Sequence, residues 1–403
     1  MPPSLLSIAL GAFAIGTEGF MLAGLLPAIS ADVGVPVSLV GQLVTVFSLT
    51  YALGSPLWAV ATATLDRRRL LMAAMAVFGL GNLLAATAHG YAALLGARVV
   101  MALSASTFMP AASAYAAAAA PPERRGRALS VIYAGMTLAT VVGVPLGVLV
   151  GGRLGWRSTF LGVAGLALAA MAGIFWSVGK SPGSARVGLG QRLAVARRPE
   201  VLGTLAITAV AMAGVFSLYT YLAAFLGAGA EVRGPALAAV LFLFGAGGAV
   251  GNLLGGVAAD RASWRRLVSA IFGSLAVVYA LLSGASGLLP LALRRPALVV
   301  LVLCWGLIGW AFPSIQQSRL VRLDPSLASI TLSLNASATY LGISAGAVLG
   351  SLVVARGAVL SLGWVAAGCM LLGLGSIRFV APGPMRAGPR PRRADVPVLG
   401  PGE

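Results

Sequence analysis

The chain has 403 residues, of which 59% are hydrophobic and only 9% are charged, whereas soluble globular proteins carry about 25% charged residues. This composition excludes an ordinary water-soluble fold. The net charge of +18 would suggest nucleic-acid binding in a soluble protein, but Lys and Arg also accumulate in the cytoplasmic loops of membrane proteins. We therefore expect membrane lipid, and no nucleic acid, among the partners.

Apolar runs bounded by charged residues, Pro or Gly clusters define twelve candidate membrane spans, each near the ~20 residues that cross the hydrocarbon core. The runs are continuous, which predicts helices, whereas barrel strands would alternate in short segments. The first run has no preceding Lys or Arg, is too long for a signal peptide and contains Glu18, so we predict an uncleaved first helix. The predicted spans are 5–29, 38–62, 70–88, 93–119, 128–150, 158–179, 201–226, 235–258, 266–289, 297–318, 327–354 and 358–380.

The distribution of Lys and Arg between the loops predicts the orientation. With a cytoplasmic N-terminus, 21 of these cations fall on the cytoplasmic side and six on the outer side, while Arg98 falls inside the fourth span. This excess predicts a multi-pass protein of the cell inner membrane with both termini in the cytoplasm.

The longest break between spans divides them six and six. It predicts an N-terminal six-helix bundle over 1–179, a cytoplasmic linker over 180–200 and a C-terminal six-helix bundle over 201–380; the tail 381–403 is rich in Pro, Gly and Arg and is predicted to be disordered. Gly143, Gly147 and Gly151 of the fifth span recur at an offset of 199 residues in the eleventh. The recurrence favours two pseudo-symmetric halves, an arrangement that transporters build around a central site.

Four motifs resemble those of a known family. They read Gly16-Thr17-Glu18-Gly19-Phe20 with Gly24-Leu25-Leu26-Pro27-Ala28-Ile29 and Asp32; Arg125-Gly126-Arg127-Ala128; Val142-Gly143-Val144-Pro145-Leu146-Gly147; and Gly155-Trp156-Arg157-Ser158-Thr159-Phe160. Together they resemble the twelve-span drug:proton antiporters of the Major Facilitator Superfamily (MFS), in the chloramphenicol-efflux and arabinose-efflux-like branch. The resemblance extends in order over residues 5–380. It implies the MFS fold, a monomer, and proton-coupled export of a small molecule by alternating access.

Glu18 and Arg98 are the candidate proton-coupling residues. Glu18 is the only acid inside a predicted span, and a charged side chain at the bilayer centre costs about 2.5–3.5 kcal/mol. It is interpreted as a proton carrier or as the counter-ion of a cationic substrate; the alternative is a carboxyl group that only bonds neighbouring helices. The resemblance implies a part for Arg98 in proton transfer, by pairing with an acid. Alternatively, Arg98 extends to the outer interface.

Two further motifs are candidate gating elements. Pro145, between Gly143 and Gly147, removes a backbone donor and can kink the fifth helix; the resemblance makes this kink part of a gate, and tight helix packing is the alternative. Gly255, Asp260 and Arg261 resemble the superfamily's loop motif, in which Asp and Arg form a cytoplasmic charge latch. The alternative is that these charges only set the topology. The first-half copy of this motif departs from the pattern, since Asp66 is displaced.

A polar stripe in the eleventh span, Ser333, Ser337, Tyr340 and Ser344, is a candidate cavity lining. Helix packing is the alternative, because Ser and Thr also join membrane helices. The candidate cavity residues are Phe108, Tyr219, Tyr221, Gln316, Asn335 and Tyr340.

No enzymatic activity, metal site or cofactor is expected. The sequence has one histidine and no phosphate-binding loop, and Cys304 and Cys369 lie in separate apolar runs, which favours packed thiols. The favoured function is therefore proton-coupled export of a drug-like or sugar-like compound. The alternatives are a proton symporter or facilitator that imports a metabolite, and a non-transporting membrane sensor.

Overall fold

The computed structural model describes residues 2–121, 124–183 and 188–380. Within these residues it contains twelve helices that are long and apolar enough to cross a membrane. Their number and order confirm the predicted all-α, twelve-span fold class. The helices are α1 (Pro3–Val33), α2 (Val37–Ala61), α3 (Arg67–Ala86), α4 (Tyr91–Ala119), α5 (Arg125–Leu154), α6 (Trp156–Ser177), α7 (Pro199–Tyr219), α8 (Gly234–Arg261), α9 (Trp264–Leu288), α10 (Leu291–Leu323), α11 (Ala328–Ala355) and α12 (Val359–Phe379).

The helix ends follow from local backbone chemistry. Gly34 ends α1 in the left-handed conformation (φ 72°), and Gly155 (φ 83°) makes the turn between α5 and α6. Asp66 caps α3, because its carboxylate accepts a hydrogen bond from the N–H of Arg69 at 3.0 Å. Pro199 occupies the first turn of α7, where its missing N–H costs no helical hydrogen bond.

The seventh span differs from its predicted limits. The sequence predicted one continuous span over 201–226, whereas α7 ends at Tyr219 and a separate helix, Leu222–Ala230, follows. In the turn between them the N–H of Tyr221 donates to the carbonyl oxygen of Leu218 at 3.1 Å. The interruption places the ring of Tyr221 against the other half of the protein, as described below.

The helices form two bundles of six. In the first half α1 packs against α5 and α6, and α3 packs against α4 and α6; in the second half α7 packs against α11 and α12, and α9 packs against α10 and α12. The halves meet where α2 lies against α11 and where α5 lies against α8. Because the number of spans is even, residues 2 and 380 lie at the same end of the molecule. We call it the terminal end, and its opposite the far end.

Matching glycines make the same helix contact in both halves. A Cβ atom added at Gly143 of α5 would lie 2.1 Å from Oγ1 of Thr17 on α1. At the corresponding position of α11, a Cβ atom added at Gly342 would lie 2.4 Å from the carbonyl oxygen of Ala209 on α7. Only glycine allows such a close approach of two helices. The glycine repeat of the sequence is therefore one contact built twice, as expected for pseudo-symmetric bundles.

The contact between α5 and α8 contains an irregular turn. Residues Ala139–Gly143 form a π-helical turn that ends two residues before Pro145, whose nitrogen has no hydrogen to donate. Gly245 of α8 packs onto this turn, since a Cβ atom there would lie 2.4 Å from the carbonyl oxygen of Thr140. The departure from α-helical geometry near Pro145 thus lies at a boundary between the two halves.

The segment between the bundles is attached to both of them. The carboxylate of Asp66 accepts a hydrogen bond from the N–H of Ser181 at 2.9 Å, and a short helix follows at Leu189–Ala196. From that helix Arg192 donates to the hydroxyl of Ser333 on α11 at 2.9 Å. The exact bundle boundaries stay a prediction, and the tail 381–403 lies outside the described residues.

Candidate functional site

Glu18 and Arg98 form an ion pair in the interior of the first bundle. Glu18 of α1 is fully buried, and Arg98 of α4 is 1% exposed. The Nε–H of Arg98 also donates to the carbonyl oxygen of Leu43 at 3.1 Å, and its guanidinium group lies 4.3 Å from the ring centroid of Phe47. Leu43 and Phe47 belong to α2, so Arg98 joins α1, α2 and α4. Arg98 therefore extends to Glu18 and does not extend to the interface.

The surroundings of this pair offer few other polar contacts. Glu18 is the only buried acid among the described residues, and its Oε2 atom accepts no hydrogen bond from any of them. The hydroxyl of the preceding residue, Thr17, is also buried without a hydrogen-bond partner among the described residues. Buried polar atoms that lack partners are uncommon and call for an explanation. Among the described residues, the Glu18 carboxylate is therefore held by the Arg98 guanidinium group alone.

The other acid of the first motif serves elsewhere. Asp32 lies at the far end of α1, where its carboxylate pairs with Arg157 of α6 at 2.5 Å. Both side chains are partly exposed, and Arg157 also donates to the carbonyl oxygen of Ala88 at 3.0 Å. Hydrogen bonding to Arg157 keeps Asp32 in a contact that is separate from the Glu18–Arg98 pair.

A small cavity lies between the halves beside the ion pair. It has a volume of about 30 Å³, which is room for one or two water molecules. Arg98 is the only charged residue in its lining, and Glu18 lies behind it. The lining residues are Ile15, Gly16, Gly19 and Phe20 of α1, Val44, Phe47 and Ser48 of α2, Arg98, Met136 of α5, Phe216 of α7, and Tyr340 and Ile343 of α11.

Aromatic rings from both halves surround this cavity. The ring of Tyr340 on α11 stacks on that of Tyr51 on α2, with centroids 3.7 Å apart, and lies 6.3 Å from the ring of Phe47. The ring of Phe20 on α1 lies 6.2 Å from that of Phe216 on α7. Sequence reasoning identified Tyr340 but missed Phe20, Phe47 and Tyr51. The spacing of four residues between Phe47 and Tyr51, which puts both on one helix face, was an available signal.

Tyr340 lines the cavity, and the other five candidate cavity residues lie elsewhere. Phe108 packs inside the first bundle, where its ring fills the space beside Gly11 of α1. Tyr219 lies behind Phe20, and its hydroxyl donates to the Phe20 carbonyl oxygen at 3.3 Å.

Gln316 and Asn335 belong to a buried hydrogen-bonded network of the second bundle. The amide of Gln316 on α10 donates to the hydroxyl of Thr208 on α7 at 3.0 Å, and that hydroxyl donates to the Asn335 side chain on α11 at 2.8 Å. The indole N–H of Trp264 on α9 donates to the Gln316 oxygen at 2.7 Å. The network therefore joins four helices of one bundle, which favours a structural part for both amides.

Tyr221 closes the contact between the halves at the far end. Its hydroxyl donates to the carbonyl oxygen of Ala347 on α11 at 3.2 Å, and its ring fills the space left by two glycines. A Cβ atom at Gly41 would lie 2.0 Å from the Tyr221 oxygen, and one at Gly350 would lie 2.6 Å from its ring. Next to them, the Ser351 hydroxyl donates to a backbone carbonyl of the first half at 3.0 Å. The halves are thus tightly joined at the far end.

The aspartate of the second-half loop motif forms an ion pair with an arginine outside the motif. Asp260 pairs at 2.6 Å with Arg322 of α10, while Arg261 is exposed and forms no ion pair with a described residue. Gly255 lets α8 approach α10, since a Cβ atom there would lie 2.4 Å from the Ala311 carbonyl oxygen. The side chain of Arg322 is 49% exposed and that of Asp260 is 77% exposed, so the pair contributes at most about 1 kcal/mol. Such a weak contact is easily broken and remade.

The part of the chain that the structure describes contains no group of three or more His, Cys, Asp or Glu side chains that could hold a metal ion. Cys304 and Cys369 are free thiols.

The sequence and the fold match known membrane transporters. The family model described as Major Facilitator Superfamily matches residues 8–347. The chain is 34% identical over 350 residues to a chloramphenicol resistance protein of Streptomyces lividans, covering 86% of this chain and 88% of that protein. It is 33% identical over 373 residues to the inner membrane transport protein YdhP of Escherichia coli (strain K12), covering 91% and 94%. The crystal structure of a bacterial homologue of the human lysosomal transporter Spinster, inward-facing and occupied, superposes with a TM-score of 0.68 at 16% identity, covering 93% of each chain.

Proposed function

We propose that this chain, which belongs to the Major Facilitator Superfamily, is a proton-coupled exporter of small molecules and works by alternating access. The membership establishes a multi-pass membrane transporter, and its sequence relatives are transporters rather than enzymes. The coupling to protons, the direction of transport and the substrate are the proposed part. The buried Glu18–Arg98 pair beside the cavity between the halves carries the proposal.

The pair can link proton binding to movement of the helices. While Glu18 is charged, its carboxylate holds Arg98 and thereby fixes α1 to α4. A proton on Glu18 removes the negative charge, so Arg98 then keeps only its contacts to Leu43 and Phe47 on α2. Protonation therefore weakens the connection of α1 to α2 and α4. Since all three helices border the cavity, loading the proton changes the wall against which a substrate binds.

The structure also suggests which end opens. The halves are joined at the far end by Tyr221, Gly41 and Gly350. The predicted orientation, which follows from the Lys and Arg distribution, places the protein in the inner membrane with its terminal end facing the cytoplasm. We infer that the far end stays closed while substrate enters the cavity from the terminal end. Opening at the far end requires the ring of Tyr221 to leave the space between the two glycines.

The Streptomyces relative supports a drug-like substrate, since that protein is named a chloramphenicol resistance protein. Sugar-like substrates remain the alternative that the family resemblance allows. A proton symporter, a facilitator and a non-transporting sensor are separated from the exporter by the direction of the two fluxes.

The experiment measures the fluxes of protons and of substrate in proteoliposomes with an imposed pH gradient. Chloramphenicol and a thiogalactoside serve as test substrates, and a pH-sensitive dye reports the proton flux. We expect substrate and protons to move in opposite directions, and Glu18→Gln to abolish the gradient-driven flux. The matched control is Glu231→Gln, which makes the same chemical change in an exposed acid that pairs with Arg295. Parallel fluxes, substrate flux without proton flux, or full activity of Glu18→Gln would overturn the proposal.

A further inference from the structure

The stacked rings of Tyr51 and Tyr340 join the two halves of the protein. Their centroids are 3.7 Å apart and their planes make an angle of 21°, and no other ring pair among the described residues is stacked in this way. Tyr51 lies on α2 of the first half and Tyr340 on α11 of the second. Any separation of α2 from α11 must therefore part these two rings.

The stack lies on the terminal side of the cavity, where α2 packs against α11. Along α2, which runs toward the terminal end, the cavity-lining residues Val44, Phe47 and Ser48 come before Tyr51. On α11, which runs away from the terminal end, Tyr340 is the first residue of the cavity lining. Of the α2 and α11 residues around the cavity, Tyr51 and Tyr340 therefore lie nearest to the terminal end.

We propose that the substrate is a flat, uncharged aromatic compound that binds by inserting between the rings of Tyr51 and Tyr340. The inference rests on the proposed function, because it names the class of compound that the transporter would carry. The cavity of about 30 Å³ is too small for such a compound. Parting the rings creates the missing space and exposes two aromatic faces. A flat aromatic compound covers both faces again and restores stacking on each side, whereas a sugar ring has no aromatic face to offer.

The charges of the cavity exclude a cationic substrate. Among the described residues, Arg98 is the only charged one in the lining, and Glu18, the only buried acid, is already paired with it. A cation would therefore meet no uncompensated negative charge, and protonation of Glu18 would leave the wall positive. Burying a charge without a partner is strongly unfavourable. An uncharged compound avoids this cost in both protonation states.

The test measures binding and transport of three probes by the purified full-length protein. Chloramphenicol is an uncharged nitrophenyl compound, ethidium is a flat aromatic cation, and a thiogalactoside is uncharged without an aromatic ring. Calorimetry gives the dissociation constants, and proteoliposomes with a pH gradient give KM and kcat. The variants are Tyr51→Leu and Tyr340→Leu, with Tyr51→Phe and Tyr340→Phe as ring-retaining counterparts. Phe242→Leu is the control, because this exposed ring makes no contact with another described ring.

We expect chloramphenicol to bind and be exported, and ethidium and the thiogalactoside to be neither bound nor exported. Each Leu variant should raise the dissociation constant and KM for chloramphenicol about threefold to tenfold, the effect of losing one ring contact. Each Phe variant should bind chloramphenicol more tightly than the matching Leu variant, and the Phe242→Leu control should stay within about twofold of the parent protein.

Two sets of results separate the inference from the proposed function. If a pH gradient drives chloramphenicol export but the Leu variants bind chloramphenicol as tightly as the parent protein does, the inference is wrong and the proposed function stands. The same conclusion follows if ethidium is exported as well as chloramphenicol. If chloramphenicol binds with the predicted dependence on the two rings but no gradient drives its movement, the inference stands as a binding site and proton-coupled export is wrong. Export of the thiogalactoside alone would overturn the inference. If a Leu variant does not fold, the Phe variants and the ranking of the three probes still decide it.

Discussion

Replacing Glu18 and replacing Arg98 should lower the free energy of unfolding by different amounts. Replacing Glu18 by Gln leaves the guanidinium group of Arg98 buried, and an arginine cannot give up its charge. Replacing Arg98 by Leu leaves a carboxyl group that can take up a proton and become neutral. Glu18→Gln should therefore destabilise the protein more than Arg98→Leu does.

The structure allows a rough magnitude for each variant. Removing one partner of a buried ion pair typically costs about 3–5 kcal/mol. Arg98 would keep the Leu43 carbonyl oxygen at 3.1 Å and the Phe47 ring, which places Glu18→Gln at the lower end, about 3 kcal/mol. For Arg98→Leu, the remaining neutral carboxyl lacks a hydrogen-bond partner, which costs about 1–2 kcal/mol.

The double variant Glu18→Gln/Arg98→Leu removes both charges at once. Replacing a buried pair with groups of similar volume is often close to neutral, so its stability should lie within about 1 kcal/mol of the parent protein. The two substitutions should thus be strongly non-additive, with a coupling energy of at least about 3 kcal/mol. Additive single effects would mean that the two side chains do not interact in the folded protein.

The assay is equilibrium unfolding in mixed detergent micelles, followed by the fluorescence of the seven tryptophans. Glu231→Gln serves as the control, because its exposed pair with Arg295 should contribute under about 1 kcal/mol. Equal destabilisation by Glu18→Gln and Arg98→Leu would refute the reasoning from arginine's fixed charge.

Two further outcomes follow from the helix contacts. Gly346→Ala should destabilise the second bundle by about 1–3 kcal/mol, since the new Cβ atom would lie 2.4 Å from the Ala213 carbonyl oxygen. Gly368→Ala, whose Cβ atom would have no other atom within 4 Å, should stabilise α12 by up to about 1 kcal/mol. The same unfolding assay compares the two variants, and equal effects would contradict the proposed contact. Backbone hydrogen bonds from the α3 N-terminus and from Ser181 lower the pKa of Asp66. The charged carboxylate of Asp66 therefore stabilises the folded protein above the ordinary aspartate pKa of 3.8, and this stabilisation is lost as the pH falls through the lowered pKa. Asp66→Ala should therefore lower stability by about 1 kcal/mol at pH 7 and by less in acid, and a difference from the parent that does not shrink with falling pH would be inconsistent with a charged cap.

Much of the fold was predictable because the bilayer imposes a simple rule on sequence. A span must be apolar over about 20 residues and must satisfy its own backbone hydrogen bonds, so counting apolar runs gives the helices directly. The glycine repeat was equally informative, because close helix contacts leave few alternatives to glycine. The break at Tyr221 was not predicted. The run 201–226 contains no charged residue, and only the packing of that ring against Gly41 and Gly350 reveals the break.

The candidate site was predictable in its rare residues and not in its common ones. A lone acid and a lone arginine inside spans are costly, so Glu18 and Arg98 stood out without knowledge of their distance. Their pairing with each other required the fold, because 80 residues separate them in the sequence. Aromatic and polar side chains are frequent in spans and have many structural uses. From the sequence, Gln316 and Asn335 were therefore predicted to line a cavity, whereas the fold places them in a buried hydrogen-bonded network.

The most direct measurement is proton release on substrate binding, followed with a pH-sensitive dye in weakly buffered detergent solution. If substrate and proton compete through the Glu18–Arg98 pair, linkage requires that an exported compound displace a proton, up to about one per protein. We predict this release for the parent protein and for Glu231→Gln, and its loss in Glu18→Gln. Proton release of the same size from Glu18→Gln, with substrate still bound, would contradict the assignment of Glu18 as the proton site.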